Sequence, residues 1–320
     1  MIYLFTPALM NNFGTLSTNL GDLIIHEAVF DELSSLFPKE KFVNISSHTS
    51  IENFNLIFRK NDLCFVGGSN LLSSNMNHYA QWKIDIKDIF KIKNVILMGV
   101  GWWQYQSAPN FYTKLLLNQV LSKKIIHSVR DNYTATMLRK IGINNVVNTH
   151  CPTLWPLIKK DLNLIPKNKS ENILLMLTDY KKSPITDKIL FDIAEKHYEK
   201  IYFWPQGSKD LDYFNELGIT QPVTILRSSI DELDKLLKSD IGLDYIGTRL
   251  HGGIRCIVND RRSLVLEVDN RAKEISKDTG FPTTERDNFN FIETWIQSKT
   301  YTNINLHEDS IISWRAQFSV

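Results

Sequence analysis

The chain has 320 residues, 43% of them hydrophobic and 22% charged, which is the composition of an ordinary globular protein and enough length for two domains. Its formal charge of +2 is too small to imply nucleic-acid binding, so any basic site must be local. Cys64, Cys151 and Cys256 lie far apart, with no CxxC and no Cys/His cluster of metal-ligand spacing, which excludes a disulfide framework and points to a reducing compartment. No basic leader with a long apolar run opens the sequence, and no apolar run approaches the span of a bilayer. The expected location is the cytoplasm, with peripheral contact at the inner face of a membrane left open.

Ile2 to Phe5 reads as a first strand, followed by a polar loop that ends at Asn19-Leu20-Gly21-Asp22. Leu23, Ala28, Phe30, Leu33 and Phe37 then predict an amphipathic helix. Neither GxGxxG nor GxxxxGK[ST] occurs at this turn, so a nicotinamide or P-loop site is not indicated. Leu63 to Val66 is a short apolar run closed by Gly67-Gly68-Ser69-Asn70, and Val95 to Gly101 repeats the pattern before Trp102-Trp103-Gln104-Tyr105. Glycines just past a strand permit close approach of a ligand and serve equally as plain turns. The aromatics suit a sugar-stacking platform, or packing beneath their own loop. Ile125 to Asp131 predicts another strand entering a helix that holds Thr134, Met137 and Leu138, which places Arg130 at the strand's carboxyl end. A local surface ion pair with Asp131 is the plainer reading of that arginine. Val146-Val147 and Cys151-Pro152 look like a last strand and its exit.

Residues 159–172 form the clearest polar linker and mark a domain boundary. Beyond it the alternation restarts: strand 173–177, helix 186–197, strand 201–203, helix 210–217, strand 223–226, and a helix through Leu237 opened by Ser229 and Glu232 in a capping-box pattern. Asp240 to Leu243 and Arg262 to Val268 read as strands, and 271–279, 292–296 and 311–318 as helices. Strands alternating with helices in both halves predict two Rossmann-like α/β domains, each with a parallel sheet covered on both faces and with a ligand cleft between them. The expected boundaries are 1–158, 159–306, and a C-terminal helix at 307–320 that returns to the first domain.

Between the strands at 240–243 and 262–268 lies Gly247-Thr248-Arg249-Leu250-His251-Gly252-Gly253, a tight loop that opens into an apolar helix. Thr248 is the expected N-cap, and Leu250, Ile254, Ile257 and Val258 share one helical face. Arg249 and His251 then fall in a first turn whose free N–H groups and positive dipole end attract an anion. The same residues also suit a solvated helix start with turn glycines.

Taken in order, Asn19-Leu20-Gly21-Asp22, Gly67-Gly68, Val129-Arg130-Asp131, Cys151-Pro152 and Arg249-Leu250-His251-Gly252 resemble the polysaccharide pyruvyl transferase family. The resemblance implies a two-domain fold of glycosyltransferase B type. It also implies transfer of a pyruvyl group from phosphoenolpyruvate to two hydroxyls of a sugar, free or lipid-linked, giving a cyclic ketal and phosphate. No cofactor or metal is implied, and no HExxH or acidic cluster suggests one. Arg249 and His251 match the family's donor-site arginine and histidine, and Arg130 its arginine in the first half. Thr248, Leu250 and Gly252 complete the donor loop. Arg271 falls where some members carry a lysine, with Lys273 as a nearby substitute, and the two cations are not interchangeable. The acceptor side is expected on the first domain around Asn19, Asp22, Ser69, Asn70, Trp102 and Trp103, where the Gly-Gly-Ser-Asn and Gly-Val-Gly-Trp-Trp loops depart from the family's smaller forms. The chemistry suits the residues: a phosphate and a carboxylate need several cations, and His251 titrates near neutrality and so can carry a proton. A nucleotide-sugar glycosyltransferase, or a glycan- or anion-binding protein without turnover, are the competing readings.

Overall fold

A computed structural model describes residues 1–51 and 62–319. Contacts divide the chain into two units, one of Met1–Ser17, Asp22–Trp155 and Leu306–Val320, the other of Thr18–Gly21 and Pro156–Asn305. The boundary thus falls at Trp155, a few residues ahead of the polar stretch, and that stretch contains a short 3-10 turn at Leu162–Leu164.

The first unit is built from β1 (Ile2–Thr6), α1 (Leu20–Leu36), β2 (Phe42–Ser46), β3 (Leu63–Gly67), β4 (Val95–Met98), α2 (Phe111–Val120), β5 (His127–Val129), α3 (Asn132–Arg139) and β6 (Val146–Asn148). Four strands pair in the order β2-β1-β3-β4, all parallel. The parallel pair β5-β6 continues the sheet beyond β4, where Gly99 N donates to Ser128 O at 3.0 Å and Val100 bridges Val129. Every residue of β1 and β4 is buried, as expected of parallel strands covered on both faces. β2 and α2 escape the pattern reading. β2 is a half-buried edge strand with Asn44 in its middle, and α2 carries exposed Phe111 and Leu115, which blur its apolar stripe.

The C-terminal helix α10 (Glu308–Ala316) belongs to this unit. Trp314 is fully buried against Trp155 and Phe318, Arg315 grips Glu32 through two 2.7 Å bonds, and Gln317 exchanges hydrogen bonds with the Ile126 backbone.

The second unit runs β7 (Asn172–Met176), α4 (Pro184–His197), β8 (Lys200–Phe203), α5 (Asp210–Glu216), β9 (Val223–Ile225), α6 (Ile230–Leu237), β10 (Leu243–Gly247), α7 (Leu250–Val258), β11 (Ser263–Glu267), α8 (Asn270–Thr279), β12 (Thr283–Glu285) and α9 (Phe289–Gln297). Its six strands are parallel in the order β12-β11-β10-β7-β8-β9. From β7 the chain fills one side of the sheet, then crosses to β10 and fills the other. The direction of winding therefore reverses between β7 and β10, and ligands of open α/β sheets bind outside the carboxyl ends of the strands at such a point.

β10 corrects the sequence reading. It begins where Asp240 to Leu243 was expected to end and runs into Gly247. Asp244 disguises it: this buried carboxylate accepts from Arg262 Nη1 at 2.8 Å and from the Tyr198 hydroxyl at 2.8 Å, so an acid sits in a core strand without facing solvent.

Candidate functional site

Helix α7 starts directly off β10 and lies close on the sheet because its first turn carries two glycines. A glycine costs about 1 kcal/mol against alanine inside a helix, so the pair needs a packing reason. A Cβ on Gly252 would stand 2.3 Å from Met176 Sδ, and one on Gly253 would meet Val265 Cγ2 at 2.6 Å and the Tyr245 ring at 2.7 Å. In β10 itself, a Cβ on Gly247 would fall 2.4 Å from the Met176 carbonyl oxygen.

The N-cap is Arg249, not the expected Thr248, and its side chain makes no capping bond. Thr248 sits one residue earlier with its N–H on the Met176 carbonyl, and its buried hydroxyl has no hydrogen-bond partner. The helix thus opens with an uncapped positive end beside an unused hydroxyl, and Leu250, His251 and Gly252 are all buried there.

Arg249 is not a solvated helix-start arginine. Its guanidinium is buried, with Nε on the Leu177 carbonyl at 3.2 Å and on Asp210 Oδ2 at 2.9 Å. Nη2 reaches the other Asp210 oxygen and also Asp179 Oδ1 at 3.0 Å, whereas Nη1 takes part in none of these bonds. Asp210 is fully buried and collects the N–H groups of Gln206 at 3.1 Å, Gly207 at 2.7 Å and Asp179 at 3.1 Å as well as the guanidinium. Burial raises the Asp210 carboxyl above its ordinary pKa, and Arg249 and the Gly207 N–H oppose that rise. The aspartate therefore locks the guanidinium between the carboxyl ends of β7, β8 and β10.

Tyr180 completes the arrangement. Its half-exposed ring stands 5.4 Å from the Arg249 guanidinium and 5.8 Å from that of Arg271, both within cation–π range. Arg271 donates to the Tyr180 hydroxyl and forks onto Asp269, the N-cap of α8, with Nε 3.0 Å from each carboxylate oxygen. Lys273, on the same helix, is exposed and takes no part in the cluster. Replacing Tyr180 by phenylalanine keeps the ring between the arginines and removes only its hydroxyl. It is expected to change stability by less than about 1 kcal/mol while loosening Arg271, which anion titration of the variant measures.

Asn19 belongs to the second unit, not to the first as expected. Its Oδ1 accepts from Gly21 N and from Gln206 Nε2, both at 3.2 Å, and a Cβ on Gly21 would meet that Gln206 nitrogen at 2.6 Å. Asn19-Leu20-Gly21 is therefore a fitted contact for the loop that carries Gln206 and Asp210. Asp22 lies in the first unit and accepts from the Ser17 hydroxyl at 2.9 Å.

Burial changes the remaining first-unit expectations. Arg130 is fully inaccessible, so it is not the surface ion pair considered from the sequence. Nε meets Asp131 Oδ2 at 3.2 Å, Nη2 donates to Asn70 Oδ1 at 2.7 Å, and Nη1 is buried without a hydrogen-bond partner. The guanidinium covers Gly101, where a Cβ would stand 2.3 Å from Nη2. Asn70 is thus spent on Arg130, and Ser69 beside it adopts φ 60° in the tight glycine turn. Trp102 is core: it is fully buried, and its indole N–H donates to Gln106 Oε1 at 3.0 Å, so it offers no platform to a sugar. Trp103 is half-buried with its ring 4.1 Å from that of Tyr79.

The residues that sequence reasoning missed are Asp179, Tyr180, Gln206 and Asp210. The one signal for them is Gly207 three residues before Asp210, the spacing of a side chain that turns back on its own loop. Among the described residues no group of three or more His, Cys, Asp or Glu side chains could hold a metal ion, and no helix is long and apolar enough to cross a membrane.

In fold the chain is similar to the UDP-GlcNAc 2-epimerase of Methanocaldococcus jannaschii, solved with UDP-GlcNAc and UDP, at a TM-score of 0.51 and 14% identity over 99% of each chain. A weaker likeness, TM-score 0.42 and 11% identity, covers 99% of this chain and 81% of the wall teichoic acid polymerase TagF. The first likeness shows the fold, two α/β units with parallel sheets of the glycosyltransferase B type. No curated protein matches the sequence. The model of polysaccharide pyruvyl transferases matches residues 19–270, which run from the Asn19 contact through α7 to the N-terminus of the helix bearing Arg271, and the chain belongs to that family.

Proposed function

We propose that the protein transfers a pyruvyl group from phosphoenolpyruvate to two hydroxyls of a sugar in a cell-surface polysaccharide or its lipid-linked precursor, forming a cyclic ketal and releasing phosphate. The observation that carries this reading is the pair Arg249 and Arg271 on either side of Tyr180, beside the uncapped start of α7. A donor with a phosphate and a carboxylate needs two forked cations at fixed spacing. Asp179 holds Arg249 Nη2 with a side chain about a quarter exposed, so an incoming anion can take its place while buried Asp210 keeps the guanidinium oriented.

In the reaction one sugar hydroxyl gives up its proton and bonds to the central carbon of the enol as the methylene carbon accepts a proton. The second hydroxyl then gives up its proton and bonds to that carbon, while phosphate leaves with the electron pair of its C–O bond and takes up that proton. His251, in the first turn of α7, is the proposed proton carrier. Arg249, Arg271 and the α7 N–H groups offset the charge of the donor and of departing phosphate.

The test is to supply phosphoenolpyruvate with a panel of free and lipid-linked glycosides and to follow phosphate release and product mass. Phosphate release coupled to a product heavier by one ketal-linked pyruvyl group supports the assignment; turnover with nucleotide sugars and none with phosphoenolpyruvate overturns it. Within that assay His251→Ala is expected to lower kcat by about 100-fold or more while leaving donor affinity within a few-fold, because a proton carrier acts in the transition state. An equal loss confined to donor affinity would make His251 a binding residue only.

A further inference from the structure

The net charge of +2 conceals an uneven distribution. Between residues 83 and 114 there are five lysines, no arginine, and two acids, Asp85 and Asp88. Both acids are consumed locally. Asp88 is buried and accepts from Asp85 N at 2.9 Å, Asp85 accepts from Lys87 N at 2.7 Å, and together they form the capping box of a 3-10 turn at Ile86–Phe90. The lysines, by contrast, are all exposed, and none forms an ion pair with a described residue.

Large apolar side chains stand out from the same elements. Phe90, which ends the 3-10 turn, is 82% exposed, and Phe111, which opens α2, is 79% exposed. Leu115 follows one turn later, with Lys114 beside it. The two elements are tied together, since Ile86 N donates to the Tyr112 hydroxyl at 3.1 Å. The buried side of α2, Thr113, Leu116, Leu117 and Val120, already packs in the core, so the outward residues are surplus to folding.

We propose that these exposed residues of the first unit, Phe90, Phe111 and Leu115 together with Lys87, Lys91, Lys93 and Lys114 on the same two tied elements and the turn between them, dock on an anionic lipid surface. Aromatic side chains enter the interfacial region of a bilayer while lysines reach past them to acidic headgroups. The composition selects this occupant. Protein interfaces enrich arginine and deplete lysine in their centres, and bidentate phosphate recognition also favours arginine, whereas no arginine occurs between residues 62 and 129. Lysines around isolated phenylalanines match a diffuse, fluid negative surface.

The experiment is flotation of the full chain with vesicles of phosphatidylcholine, with and without phosphatidylglycerol, across a salt series. Phe90→Ser/Phe111→Ser and Lys91→Gln/Lys93→Gln are the two variants. Wild type is expected to float with the anionic vesicles at low salt and to be released as salt rises. Each lysine removed is expected to lower partitioning about fivefold, and the phenylalanine pair to lower it at least tenfold. All four positions are exposed, so thermal melts are expected to be unchanged, which separates lost docking from lost folding. Failure of wild type to float with phosphatidylglycerol at low salt overturns the proposal. Flotation of both variants equal to that of wild type overturns it too, as does binding to heparin that is insensitive to the phenylalanines, which would mark a general polyanion surface.

Discussion

Arg249→Ala is expected to cost about 3–5 kcal/mol of stability in addition to abolishing donor binding, because it strands the fully buried Asp210 carboxylate. This decides how the site should be probed. Loss of activity in that variant alone cannot separate a missing donor contact from a collapsed loop. Adding Asp210→Asn removes the stranded charge while leaving acceptor capacity for the Gln206 and Gly207 N–H groups, so the double variant is expected to regain about half or more of the lost stability. Urea unfolding of the four proteins in the cycle measures the coupling, and phosphoenolpyruvate titration of the folded double variant then reports the donor contact alone. Additive stability losses would mean that the pair is not coupled. Recovered donor binding in the double variant would remove Arg249 from the proposed site.

The parallel α/β architecture was legible because its strands are apolar runs closed by glycine or by a loop, as at Leu63–Gly67 and Val95–Met98. Elements whose polarity contradicts their burial were not. Asp244 hides the start of β10, and Thr283–Glu285 carries too little apolar character to read as a strand. The same limit governs the site. Arg249 and His251 stand in a glycine-flanked stretch that announces an anion, but the supports of Arg249 are aspartates and a tyrosine 39 to 70 residues away. No spacing rule joins Asp179, Asp210 and Arg249. They meet because the sheet winds both ways from β7, which a linear pattern does not specify. Arg130 shows the converse: its position at a strand's carboxyl end was legible, whereas its complete burial beneath Asn70 and over Gly101 depends on contacts across 60 residues.

Burial changes the expected magnitude at Arg130 by several kcal/mol. A surface pair with Asp131 would contribute about 0–1 kcal/mol, and Arg130→Ala would then be nearly silent. In the folded first unit the guanidinium and the Asp131 carboxylate are both inaccessible. Asp131 also caps α3, accepting from Thr134 N at 2.7 Å and Thr134 Oγ1 at 2.6 Å, so it must stay in place when its cation is gone. Arg130→Ala is therefore expected to cost about 3–5 kcal/mol, through the unpaired carboxylate, the freed Asn70 and the void over Gly101. Arg130→Met fills much of that void and isolates the charge term. Denaturant unfolding followed through Trp102 and the other buried tryptophans of this unit reads the result. A loss below about 1 kcal/mol in both variants would contradict the buried network. A large loss in Arg130→Ala, mostly retained in Arg130→Met, would assign it to the carboxylate rather than to packing.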